Sequence, residues 1–291
     1  MSASPVFSSA AVGRPFIFPG RGGSHAVVRE ELASAVTPAS RLQVRSAPAM
    51  ASCGIAALDA LTGGLPRGCL TEICGSASSG RTTVLLAALA EATQRGEVCA
   101  LVDACDALHP ASAAAAGIEL GRLLWVRCAA RLPRLRSSDA PVKRPSARGM
   151  SPIAGEAGNA LRIAEWRLEQ VLKVTDLLLQ SHGFGMIVLD LSGIPARSAR
   201  QIPLASWFRF RRAVEHTPTV LLILEQQPIA GSCSSILLRI SGARTQAAGK
   251  RVGHAELLDE FEITAELLRS RLERKQPQSI TSFTGKAAWA S

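Results

Sequence analysis

The sequence predicts an α/β fold, with a mostly parallel central sheet and helices on both faces, on three observations. Apolar runs of strand length recur along the chain, Ala/Leu-rich stretches of helical spacing separate them, and a glycine-bounded loop joins the first run to the first such helix. At 291 residues and 47% hydrophobic content the chain is long and apolar enough to bury a substantial core.

The first strand is the run Cys69-Leu70-Thr71-Glu72-Ile73-Cys74, entered through the turn Gly63-Gly64-Leu65-Pro66-Arg67-Gly68. A Gly/Ser loop follows it, and then a helix over residues 84–93. After Arg95-Gly96 comes a second strand at 98–103, and after the small-residue segment 111–117 a third at 123–126. Residues 130–159 break this alternation. The segment mixes Pro133, Pro141, Pro145 and Pro152 with Arg131, Arg134, Arg136, Lys143, Arg144 and Arg148, and reads as a basic, mobile insertion.

The alternation resumes with 161–180, where Ile163, Trp166, Val171, Val174 and Leu178 recur at helical spacing. A buried strand at 184–190 then ends in Asp190, a helix covers 206–215, and a strand covers 219–225. Residues 255–285 allow two readings. Residues 261–272 suit an amphipathic helix, whereas 261–264 and 279–283 alternate at period two and suit a hairpin. The core is therefore assigned to 51–291, with residues 1–50 a flexible or loosely docked arm, rich in Ser, Ala, Pro and Gly, whose one helical stretch is 26–35.

Composition narrows the function classes. Thirty-three Lys and Arg against 23 Asp and Glu give a net charge of +10, which attracts phosphate polymers or an acidic protein surface. Cys53, Cys69, Cys74, Cys99, Cys105, Cys128 and Cys233 form no CxxC pair and lie among apolar neighbours, so a reducing cytoplasm is expected and zinc is not. His109, His182, His216 and His254 have no ligand-like spacing. No apolar run approaches the roughly 20 residues that span a bilayer, so no membrane association is expected.

The loop itself reads Gly75-Ser76-Ala77-Ser78-Ser79-Gly80-Arg81-Thr82-Thr83. Gly, four residues, Gly, a base and Thr between a strand and a helix is the pattern of a phosphate-binding P-loop. Glycines let backbone amides turn inward around phosphates, and the positive end of the following helix adds to the attraction. Gly75, Ser78, Ser79, Gly80, Arg81, Thr82 and Thr83 are the candidate nucleotide-binding residues, for ATP with Mg²⁺. Thr82 supplies a hydroxyl to the metal, and Asp190 at the end of its buried strand is the candidate second metal-holding group. Arg81 departs from the pattern, which calls for lysine there. A guanidinium is wider and planar and prefers two-pronged contacts, so hydrolysis is expected to be impaired.

These residues resemble the start of the ATPase core of bacterial RecA, through Gly54-Ile55-Ala56-Ala57-Leu58-Asp59, Gly63 to Gly68, Glu72-Ile73-Cys74-Gly75 and Ser78 to Thr83. The similarity continues in Leu101-Val102-Asp103-Ala104-Cys105-Asp106-Ala107-Leu108-His109-Pro110, Gly117-Ile118-Glu119-Leu120, Leu123-Leu124, Ile187-Val188-Leu189-Asp190 and Glu225-Gln226, over roughly residues 52–242. The resemblance implies a RecA-type P-loop NTPase core. It places Cys105 where the family carries the glutamate that orients the attacking water, and Gln226 where the family carries its γ-phosphate sensor. The adjacent Asp106 is expected to point elsewhere. The family's long DNA-binding loop is reduced here to residues 227–233.

Among RecA-like proteins the pattern is most similar to the degenerate ImuA group. That likeness implies an accessory role in damage-induced translesion mutagenesis within the SOS response, with error-prone polymerase components or RecA as partners. An active DNA-dependent ATPase or recombinase is the alternative. Arg197, Arg200, Arg209, Arg211 and Arg212, interleaved with Trp207, Phe208 and Phe210, are candidates for contact with DNA or a partner, with Trp207 and Phe210 expected to face the core.

Overall fold

The computed structural model describes residues 47–128, 152–242, 260–272 and 279–286, the side chains of 152–162, 260 and 286 excepted. These residues belong to one structural unit, Ala47–Ser291. The helical stretch expected at 26–35 and most of the basic segment lie outside the described residues.

In chain order the elements are β1 (Met50–Ala51), α1 (Ala56–Thr62), β2 (Leu65–Pro66), β3 (Cys69–Cys74), α2 (Arg81–Gln94), β4 (Cys99–Asp103), α3 (Pro110–Ala115) and β5 (Leu123–Arg127). There follow α4 (Pro152–Ser181), β6 (Met186–Asp190), α5 (Ala196–Ala199), α6 (Leu204–Val214), β7 (Val220–Glu225), β8 (Ile236–Gly242), β9 (Glu260–Ser270) and β10 (Ile280–Lys286). The central sheet has eight strands in the order β10-β9-β8-β3-β7-β6-β4-β5. From β8 to β5 every neighbouring pair is parallel, while β9 and β10 add antiparallel at one edge. Because β3, β7, β6 and β4 are parallel neighbours, their carboxyl ends share one rim, where α/β sheets place their sites.

Helices cover both faces, and so the inner strands bury residues of both parities and carry near-continuous apolar runs rather than alternating ones. Along β7, Val220, Leu222 and Leu224 pack with Leu58, Leu85 and Leu89 of α1 and α2, whereas Leu221 and Ile223 pack with Val171, Trp207 and Phe210 of α4 and α6. Trp207 and Phe210 meet edge to face, with ring centroids 5.9 Å apart, and both are fully buried, as the helical spacing predicts.

Two boundaries differ from the sequence expectation. Helix α4 begins at Pro152, inside the stretch assigned to the basic insertion, because proline is well suited to the first helical position, where its missing N–H has no acceptor in any case. The tail resolves as the β9–β10 hairpin: Ile263 and Ala265 are fully buried at period two against β8 and the phosphate loop, a burial that a helix over 261–272 could not reproduce. No helix among the described residues is long and apolar enough to cross a membrane.

The indole N–H of Trp207 is buried with no acceptor among the described residues. Trp207→Ala is therefore expected to lower the unfolding free energy by about 3–5 kcal/mol in urea titrations, while Trp207→Phe, which deletes an unsatisfied donor, costs well under half of that.

Candidate functional site

The loop sits as the motif requires, at the carboxyl end of β3 and the amino end of α2. Gly75 donates its N–H to the Glu225 carbonyl at 3.2 Å, and a Cβ there would collide with the Ile240 carbonyl of β8, so only glycine fits. Ser79 N–H closes a turn onto Ser76 O at 3.3 Å. Gly80 takes the left-handed conformation, φ 94°, pressed against buried Ile263. Val84 N–H makes the first helical bond, to Gly80 O at 3.2 Å, and the amides ahead of it are the orphan donors of a helix start. Ser76, Ala77, Ser78 and Thr82 face solvent, Thr83 is half-buried, and Ser79 is buried. Beside the loop lies a cavity of about 390 Å³ lined by Cys74, Gly75, Ser76, Gln226, Arg239 and Ser241 among others.

Arg81 does not extend into the solvent-facing side of this loop. Its side chain is buried, and Nη1 donates to the backbone carbonyl of Glu225, the same oxygen that accepts from Gly75. Burial lowers the Arg81 pKa, while Asp190, Cys74 and Glu225 act in the opposite sense, and the guanidinium stays cationic throughout the working pH range. A charge-assisted hydrogen bond of this kind contributes about 1.5–3 kcal/mol, and an unpaired buried cation would cost more than that.

The remaining predicted residues gather on the same rim. Asp190 ends β6 and accepts from Ser192 N–H at 2.9 Å; burial raises its pKa. Cys105 follows β4 and stands against Gly193, within the electrostatic reach of Asp190, with Arg167 Nη1 3.8 Å from Sγ. Burial pushes its thiol up, leaving a neutral group at the position of a catalytic base. Asp106 turns away into an ion pair with Arg127. The Asp103 carboxylate is committed to Cys105 N–H, Leu108 N–H and Trp125 Nε1–H at 3.1, 3.0 and 3.1 Å. Gln226 donates to the carbonyls of Ser192 and Ile194 at 3.0 and 3.4 Å, so its amide braces the segment after β6.

The five arginines do not form one cluster of equal character. Arg197 and Arg200 are exposed around α5, and Arg209 is held in a two-pronged pair with Asp176 of α4. Arg211 is half-buried and Arg212 exposed on α6.

Residues 37–130 match the family model described as RecA N-terminal domain. The core is of the RecA type. Three proteins, each named Protein RecA, are similar to part of the chain. That of Symbiobacterium thermophilum is 49% identical over 87 residues, 29% of this chain and 24% of that protein. Those of Nostoc punctiforme and Prochlorococcus marinus are 53% identical over 74 residues and 46% identical over 87 residues, covering 25% and 30% of this chain and 21% and 22% of those proteins. The chain thus spans less than a quarter of the length of these curated relatives.

Within this RecA-type core, two buried acids escaped the sequence reading. Glu72 of β3 accepts Ile229 N–H at 2.6 Å, Ala230 N–H at 2.8 Å and Ser234 Oγ–H at 3.1 Å, and Glu225 Oε1 accepts Ile229 N–H at 3.1 Å. Their signal was an acid inside each of two strand-length apolar runs, which is costly unless it is bonded. Burial, and then the neighbouring Glu72, push the Glu225 carboxyl up to about 11, so it is protonated at neutral pH. Its stabilising contribution is complete below the ordinary value of 4.5 and is lost as pH rises towards 11. Urea titrations at pH 5.5 and pH 9 are expected to show the wild type losing more stability on the alkaline side than Glu225→Gln, which stays neutral.

Proposed function

We propose that this chain is a RecA-like accessory protein of damage-induced translesion mutagenesis, of the ImuA kind, acting by binding an error-prone polymerase component or RecA with weak or no ATP hydrolysis. The observation that carries the reading is the bond from Arg81 to the Glu225 carbonyl. A phosphate loop works by presenting a cation to the β- and γ-phosphates, and here that cation is spent on the protein's own backbone.

The second support is the state of the residues around Cys105, where the family resemblance places the group that orients the attacking water. Cys105 is a neutral thiol, Asp106 is paired with Arg127, and Asp103 is fully bonded. Attack by water on a phosphoryl group needs a positioned acceptor or orienting group, and none of these three can serve. The amide cup does fit a phosphate. ATP and Mg²⁺, if bound, would be held by the loop amides left free between Ser76 and Thr83, with Thr82 and Asp190 the groups for the metal. The bound nucleotide then supplies a charged ligand that stabilises the fold. The retained Thr82 and Asp190 are what favour the alternative, an active DNA-dependent ATPase or recombinase.

Phosphate release by the purified full chain with ATP, Mg²⁺ and single-stranded DNA separates the two. Turnover is expected far below the ordinary enzyme range, and a rate of about 1 per second or faster would overturn the accessory reading.

A further inference from the structure

The outer face of α6 continues into a second element without a break. Residues 204, 208, 211 and 212 lie on one side of the helix by its 3.6-residue period, beside the buried face of Trp207, Phe210 and Val214. Leu204 and Phe208 are each 48% exposed, which is unusual for large apolar side chains one turn apart. The Leu204 side chain reaches to 3.5 Å from the Cβ position of Gly231, so the face abuts the turn Gly231–Cys233 that follows β7.

On the far side of that turn stands the end of β9. Arg269 Nη1 donates to Gly231 O at 2.6 Å and the Arg271 amide donates to Ser235 O at 2.8 Å. Burial pushes the Cys233 thiol up while Arg211, Arg271 and Arg269 all pull it down, as expected of guanidinium groups ringing the turn. Among the described residues, the ion pairs formed take none of Arg211, Arg212 and Arg271. The turn between the arginines is rigid, since Glu72 holds Ile229, Ala230 and Ser234 from below.

We infer that this face, Leu204 and Phe208 flanked by Arg211, Arg212 and Arg271, docks an acidic amphipathic helix of a partner protein. The inference rests on the accessory reading above and adds to it the chemistry of the partner. Two apolar side chains one turn apart match the i, i+4 anchors of a helix laid along the face, and three arginines around them call for carboxylates on the flanks of that helix. Single-stranded nucleic acid is disfavoured, because its bases stack on aromatic rings and an exposed leucine offers no such platform. The fixed turn lowers the ordering cost of binding.

The test uses the full chain and a fluorescein-labelled helical peptide of about 16 residues, with Leu and Phe at i, i+4 and i+7 spacing and glutamates alongside. A scrambled peptide of equal composition and oligothymidylate of about 20 nucleotides are the comparison probes. The ordered peptide is expected to bind at least about tenfold more tightly than the scrambled one, and to lose about tenfold in either Phe208→Ser or Arg212→Glu, both exposed positions. Equal binding of the two peptides, no binding, indifference to both substitutions, or oligothymidylate binding that depends on Phe208 and Arg212 would each overturn the proposal. Hydrolysis of ATP by a chain that still binds the ordered peptide would sink the accessory reading and leave the face standing, so the two failures are distinguishable.

Discussion

Two donors converge on one carbonyl oxygen at the rim of the sheet. The Glu225 carbonyl accepts from the Gly75 amide, the first residue of the phosphate loop, and from the guanidinium of Arg81, the first residue of α2. These two bonds tie both ends of the loop to the neighbouring strand β7. In a loaded P-loop the phosphates collect the amides and the basic side chain into one shape. Here the protein backbone supplies part of that restraint itself. A buried guanidinium must find an acceptor or pay a desolvation penalty larger than any single hydrogen bond returns, and a backbone carbonyl one strand away meets that need.

The same residue passes the restraint onward. The Glu225 side chain bonds Ile229 N–H, which also bonds Glu72, and Glu72 fixes Ala230 and Ser234. The connection from β7 to β8 is thereby pinned to the sheet by two acids, one of them protonated. Loop, strand and connection form a contiguous bonded path from α2 to the turn Gly231–Cys233. A core wired in this way presents a preset surface, which lowers the ordering cost of binding in the accessory role proposed above.

Most of this fold is legible from sequence because buried parallel strands leave an unmistakable trace. Runs such as 220–224 are apolar at every position, glycines punctuate them, and the loop between Cys74 and Arg81 carries its own spacing. What sequence could not settle was the direction of side chains. Arg81 could equally point to a phosphate or to a backbone, and only the placement of β7 beside β3 decides it. For the same reason Gln226 could be matched to a sensor without revealing that its amide donates to Ser192 and Ile194. Residues 261–272 carried both periodicities, and pairing with β8 selected the strand.

The central claim is that Arg81 is bonded to the protein and withdrawn from the phosphate cup. Equilibrium binding of a fluorescent ATP analogue with Mg²⁺ to the wild type and to Arg81→Lys tests it most directly. Lysine lacks the planar guanidinium whose Nη1 reaches the Glu225 carbonyl and frees its charge for the cup, so the variant is predicted to bind at least about tenfold more tightly than the wild type. Wild-type affinity equal to or above that of the variant would contradict the account.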